Sequence, residues 1–150
     1  MGFLTSPAWM QSFSVRDLIV LEARKYLGTP YHHQGRVLGH GIDCYGLIEM
    51  VARGLGFECP SKVSYSRLPD QSHLLAYMDQ YAVQIEKTHA LAGDILIIPF
   101  RGQLRHMAIK TDIGMIHSFE PAGMVVEHAL DEAWWRLVRR AYAFKEVVNG

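Results

Sequence analysis

Gly41-Ile42-Asp43-Cys44-Tyr45-Gly46-Leu47-Ile48 sets one of the chain's two cysteines where a glycine-rich loop turns into an apolar-patterned run. From Cys44 the apolar side chains fall at Leu47, Ile48, Val51, Ala52 and Leu55, the spacing of one helix face. Asp43 is in position to cap that helix, and Gly54 and Gly56 offer its stop. The spacing therefore predicts a helix whose first turn carries the thiol on its inward face. Free backbone N–H groups and the helix dipole there favour thiolate over thiol, which is where a cysteine nucleophile is easiest to make. The alternative is a cysteine that merely packs, and the rest of the chain has to decide.

Working outward, residues 1–13 read as an irregular, partly aromatic arm. Ser14 then caps a helix with Asp17 in its first turn, an apolar face from Val15 to Leu27, and Gly28 and Pro30 at its end. Residues 28–43 form a long loop with four glycines and three histidines, the kind of segment that in a compact domain is functional or mobile. Residues 56–72 are rich in turn formers, and a shorter helix is predicted from Ser72 to Tyr81. Then the period changes. Residues 94–100, 106–110, 115–119, 124–128 and 141–148 read as strands, with a helical turn at 131–136. Helices first and strands second predict an α+β fold with an antiparallel sheet.

The chain of 150 residues suits a single domain able to bury a core. Its 49% apolar and 20% charged residues are those of an ordinary globular protein, and its formal net charge is zero. Nothing in that balance argues for nucleic acid or an anionic membrane as partner. No apolar run approaches the roughly 20 residues of a membrane span. The first residues lack the basic region and apolar stretch of a signal peptide, and they match the short N-myristoylation pattern only loosely. The expectation is a protein that is cytoplasmic as synthesised. Cys44 and Cys59 are too few for a disulfide framework, although a bridge between them is open and would consume the nucleophile.

A cysteine nucleophile needs a base, and the base needs an orienting partner. His106 starts one predicted strand and His117 lies in the next. An even-numbered hairpin loop puts both on one face as direct or diagonal neighbours; an odd loop without a bulge splits them. On one face, His106 can take the Cys44 proton while His117 holds its other ring nitrogen. Two packed sheet histidines are the alternative, and spacing alone does not prefer catalysis. His32, His33 and His40 crowd the loop, but neighbours on an extended segment point opposite ways, so no metal is expected, and no cofactor is called for. Arg36 can receive a substrate carboxylate or stay solvated. Cys59 reads as structural, Trp134 and Trp135 as packing, and His73, His89 and His128 have no evident role.

Gly28-Thr-Pro-Tyr31, Asp43-Cys44-x-Gly46-Leu47, Ala92-Gly93-Asp94-Ile-Leu, His106-Met-Ala-Ile109 and His117 come in the order and approximate spacing of the NlpC-type papain-like cysteine peptidases, bacterial cell-wall endopeptidases, which the chain resembles over residues 14–146. The Tyr31-x-x-Gln34-Gly35-Arg36 segment and the Trp134-Trp135…Ala141-Tyr-x-Phe144 tail resemble the phage-tail-associated subgroup. The resemblance implies a papain-like α+β fold, with Cys44 as nucleophile, His106 as base and then acid, and His117 as the orienting third residue. It implies that Tyr31 places its hydroxyl near the nucleophile, where it can help hold an oxyanion. It implies that Asp43 offers an exposed carboxylate to a substrate amine, in addition to its cap. Gly93 and Asp94 match a structural turn. Tyr45 departs from the family, in which serine is common after the cysteine, and a phenol there is expected to reshape the substrate subsite. The implied activity is hydrolysis of a peptidoglycan stem peptide, at the bond between D-γ-glutamate and a diamino acid. The implied partners are peptidoglycan peptide and phage tail proteins, with delivery to the cell wall on a phage-like particle. Two rivals stand: acyl transfer or deamidation by the same Cys-His fold, and a non-catalytic tail-assembly module.

Overall fold

Capping chemistry opens each helix of the first half. The computed structural model describes residues 13–59 and 64–149, so the expected arm lies outside the described residues apart from Phe13. Helix α1, Val15–Arg24, begins on a reciprocal capping box, with Asp17 N–H donating to Ser14 Oγ and Ser14 N–H to Asp17 Oδ2. Helix α2, Cys44–Gly54, begins on Asp43, whose side chain accepts from Gly46 N–H. Helix α3, Gln71–Tyr81, begins on Asp70, which accepts from His73 N–H.

The long loop is more ordered than its composition predicts. Within it β1 (Arg36–Val37) and β2 (Gly41–Ile42) pair as a short antiparallel ribbon. The main sheet comprises β3 (Ala82–Ile85), β4 (Ile95–Phe100), β5 (Gln103–Lys110), β6 (Met115–Phe119), β7 (Met124–His128) and β8 (Arg140–Phe144). Its order is β3-β8-β4-β5-β6-β7, and every pair is antiparallel. Helix α4, Glu132–Leu137, precedes β8, and α5, Lys145–Val148, follows it. The α+β expectation holds: helices pack on an antiparallel sheet.

Both faces of the sheet are covered, which explains the unbroken apolar run at residues 95–98. Ile95 and Ile97 face the main core with Leu47, Ile48 and Val51 of α2. Leu96 and Ile98 face a second cluster, against which Trp134 and Trp135 of α4 pack. Leu47, Ile48 and Val51 are fully buried, each stabilising by about 1.5–3 kcal/mol. That burial holds the N-terminus of α2 against the sheet.

One strand, β3, has no counterpart in the sequence expectations, and one expected strand is corrected. β3 was hidden because it follows Tyr81 directly, with no turn residue to separate helix from strand. The strand expected at 141–148 ends at Phe144, and residues 145–148 are helical. Phe144 pairs with Ala82, the first residue of β3, so the neighbouring strand offers no ladder partner beyond that point. The β-branched Val147 and Val148 therefore have strand propensity but nothing to pair with. No helix among the described residues is long and apolar enough to cross a membrane.

Candidate active site

Cys44 is the first residue of α2 and is buried. Its thiol donates to the Arg105 carbonyl at 3.8 Å. It shares an open cleft with Tyr31, Asp43, Tyr45, His106 and Ser118. Cys44 and Cys59 are both free thiols, so the bridge left open by the sequence does not form.

His106 and His117 reach each other because of hairpin parity. The β5–β6 loop is residues 111–114, an even count, and the ladder pairs Ile109 with Ile116 and Lys110 with Met115. Continuing that register sets residue 117 opposite 108, so His106 is its same-face diagonal neighbour. His106 Nε2 lies 2.6 Å from His117 Nδ1. Both rings are buried, and His117 stacks on Phe119 at 4.8 Å between centroids.

The electrostatics correct the thiolate expectation. Burial first, and then the Asp43 carboxylate beside it, push the Cys44 thiol up to about 12. N–H groups of Met107, Tyr45 and Cys44 itself pull the other way without winning. Desolvation outweighs the helix N-terminus because a buried charge loses far more hydration than a few N–H dipoles return. The same burial lowers His106 to about 4 and depresses His117 as well, helped by its histidine neighbours. The unliganded pair is thus thiol and uncharged imidazole. A thiol donating to a carbonyl is consistent with that state, since a thiolate would be repelled there.

The other predicted residues divide. Tyr31 lines the cleft, held by its N–H to the Gly123 carbonyl at 2.9 Å. Burial and the nearby Cys44 raise its phenol above the ordinary value, so the hydroxyl keeps its proton and can donate. Asp43 is not the exposed carboxylate that the sequence suggested. It is 2% exposed, and each oxygen already has two donors. Oδ1 accepts from Gly46 N–H at 2.8 Å and Arg36 Nη1 at 3.0 Å. Oδ2 accepts from Gln34 N–H at 2.7 Å and the Tyr65 hydroxyl at 2.6 Å. Arg36 is likewise occupied, bridging Asp43, Glu49 and the Tyr65 hydroxyl, and has no free fork for a substrate carboxylate. Tyr45 borders the cleft, but its phenol is turned into the packing between α2 and α3. Its ring is buried, stacked on Tyr65 at 4.4 Å and edge-on to Tyr77 at 4.8 Å, with its hydroxyl 3.2 Å from His73 Nδ1.

Several residues passed over in the sequence build the site. Tyr65 and Glu49 complete the Asp43–Arg36 cluster. Ser118 Oγ donates to the Ile42 carbonyl at 2.7 Å, tying β6 to the strand before the nucleophile turn. Gly46 lets the loop lie on α2, since a Cβ there would come within 2.5 Å of the Gly35 carbonyl. His128 Nε2 lies 2.9 Å from His117 Nε2. Its signal was available: His128 follows His117 by 11 residues, as His117 follows His106, and both hairpin loops have four residues. Among the described residues no group of three His, Cys, Asp or Glu side chains is placed to share a metal.

A cysteine opening the helix that packs on an antiparallel sheet, with the sheet histidine His106 at the same cleft, defines the papain-like class. The match extends to a particular group. The chain belongs to the NlpC/P60 family, a family of cysteine hydrolases, whose model matches residues 28–142. It is similar to the NlpC/p60 domain of the peptidoglycan hydrolase SagA, with 26% identity, TM-score 0.62, and coverage of 87% of this chain and 99% of that one. An NlpC/P60 family protein from Bacillus cereus aligns at 22% identity and TM-score 0.64, over 85% of this chain but 39% of its own. The peptidoglycan hydrolase RipB from Mycobacterium tuberculosis aligns at 18% identity and TM-score 0.60, over 93% of this chain and 72% of its own. The last two likenesses are of fold alone. No curated protein matches the chain.

Proposed function

We propose that the protein is a cysteine endopeptidase acting on peptidoglycan stem peptides. The observation that carries this reading is that His106, its Nε2 2.6 Å from Nδ1 of the buried His117, lines the cleft that also holds the Cys44 thiol. His117 occupies His106 Nε2, which leaves Nδ1 as the ring nitrogen that can take a proton. His106 removes the Cys44 proton as the sulfur attacks the substrate carbonyl. Because the resting thiol is held near 12, proton transfer accompanies C–S bond formation rather than preceding it. The Cys44 N–H and the Tyr31 hydroxyl face the developing oxyanion. The tetrahedral adduct collapses to a thioester while His106 returns the proton to the departing amine. Water then attacks with His106 again as base, releasing the acid and the thiol.

Of the rivals, lipid transfer calls for a tryptophan-rich, apolar pocket. The described lining of the cleft includes Arg67 and Glu120 and no tryptophan, which favours a charged peptide. The family and the likeness to the peptidoglycan hydrolase SagA support the wall as the source of that peptide; the D-γ-glutamyl–diamino acid bond is proposed on the sequence resemblance alone. Delivery on a phage-like particle is a proposal carried by sequence resemblance alone. The Gln34-Gly35-Arg36 and Trp134-Trp135 residues behind it have internal packing roles here.

The test is digestion of purified peptidoglycan by the wild type and by Cys44→Ala, with products identified by mass. Fragments ending in D-γ-glutamate from the wild type alone are expected. Equal products, or none from either protein, would sink the reading.

A further inference from the structure

His106 and His117 account for the catalytic pair, but the hydrogen-bonded chain does not stop at His117. His117 Nε2 lies 2.9 Å from His128 Nε2, and His128 Nδ1 lies 2.9 Å from the Ala129 carbonyl. The three rings sit on successive strands, β5, β6 and β7, each 11 residues from the last. Trp134 of α4 packs on both His117 and His128, at 5.5 and 4.9 Å between centroids.

The direction of this chain follows from its far end. An uncharged imidazole has one N–H and one lone pair, and a carbonyl oxygen can only accept. His128 must therefore carry its hydrogen on Nδ1, which leaves Nε2 as an acceptor. His117 must then donate from Nε2 and accept at Nδ1. His106 in turn donates from Nε2 and keeps a lone pair on Nδ1. Reversing any one link would set two N–H groups or two lone pairs against each other. We infer that His128 is a positioning residue: anchored on the Ala129 carbonyl, it sets the tautomer of His117 and, through it, points the lone pair of His106 at the cleft. The burial that keeps His106 and His117 uncharged supports this, because only uncharged rings pass on a tautomer preference.

The inference rests on the reading of His106 as the base, but its test need not. Replacements at His128 form a series by hydrogen-bond capacity: His128→Glu accepts only, His128→Gln accepts with its oxygen when its NH2 group keeps the Ala129 carbonyl as partner, His128→Leu neither accepts nor donates, and His128→Lys donates only. Nitrogen-15 NMR of labelled histidine reads the His106 tautomer directly. The expected result is Nε2–H in the wild type and in the Glu and Gln variants, a mixture in Leu, and a shift towards Nδ1–H in Lys. On wall substrate, kcat should follow the same order. Lys should fall about 10–100-fold below Gln, the usual scale for a group acting through another, with KM within about twofold. A packing role alone would rank the variants by size or stability, with Glu and Lys alike. Nδ1–H on His106 in the wild type, or a tautomer unmoved across the series, overturns the inference. If the Lys variant does not fold, the Gln and Leu spectra decide. If the wild type cuts no wall peptide while the tautomers move as described, the relay stands and the proposed substrate fails.

Discussion

Replacing Asp43 by asparagine separates a substrate-binding carboxylate from a structural one. Asparagine has the same shape but a single acceptor oxygen. In one orientation its NH2 group meets Gln34 N–H and the Tyr65 hydroxyl; flipped, it meets Gly46 N–H and Arg36. The Tyr65 hydroxyl can turn, and Arg36 keeps Glu49 at 3.2 Å, so one backbone N–H is left opposed in either case. An unsatisfied buried donor costs about 1–3 kcal/mol, and the lost charge beside a mostly buried guanidinium adds to it. The expected destabilisation is about 3 kcal/mol, a fall in Tm of roughly 6–12 °C for a chain of this size. Thermal and urea unfolding measure it, and a cycle with Arg36→Met should return a coupling of about 1 kcal/mol or more. If Asp43→Asn melts like the wild type and only raises KM, the carboxylate holds substrate and the inward-facing assignment is wrong.

Two further outcomes follow from the buried site. In a Cys59→Ser background, the alkylation rate of resting Cys44 by iodoacetamide should be slow at neutral pH and still rising through about pH 10, since the thiol sits near 12; a plateau reached below about 8.5 would contradict the desolvated thiol. Acid should also weaken the fold. His106 titrates at about 4 in the native state against an ordinary 6.5, so the unfolded chain binds more protons between those values, and stability is full above 6.5 and falls as pH drops towards 4. At about 1.4 kcal/mol per pH unit, the loss is about 3 kcal/mol. Urea midpoints at pH 7 and 4.5 should differ less in His106→Gln than in the wild type, and equal differences would refute the assignment.

Local signals carried the sequence reading furthest. Ser14 with Asp17, and Asp43 before Cys44, marked two helix starts that the structure contains, because a cap is a contact between residues three apart. Hairpin parity made the meeting of His106 and His117 a question of one loop length, because the side-chain period of a strand is two, and the observed register answers it with an even loop. The same rule, applied once more, would have reached His128.

Burial and partnership were a different matter. The resemblance sets Asp43 and Tyr45 at the substrate, and the guanidinium fork offers Arg36 to a carboxylate, but none of these says which distant groups reach those side chains first. Their partners are Glu49 of α2, His73 and Tyr77 of α3, and Tyr65 of the segment between those helices, brought together by tertiary packing. The thiolate expectation failed in the same way. A helix N-terminus is a local feature, whereas desolvation of Cys44 sums over every residue packed around it.

For Asp43-Cys44-Tyr45-Gly46, the sequence by itself determined that a thiol opens a helix, and for His106 and His117 it reduced their meeting to the parity of one hairpin loop. Those facts follow from the fixed periods of helix and strand. The tertiary structure decided that Asp43 and Tyr45 turn inward, that the resting thiol keeps its proton, and that the histidine chain runs on to His128. Each depends on which distant groups exclude water and which polar atoms are left to meet.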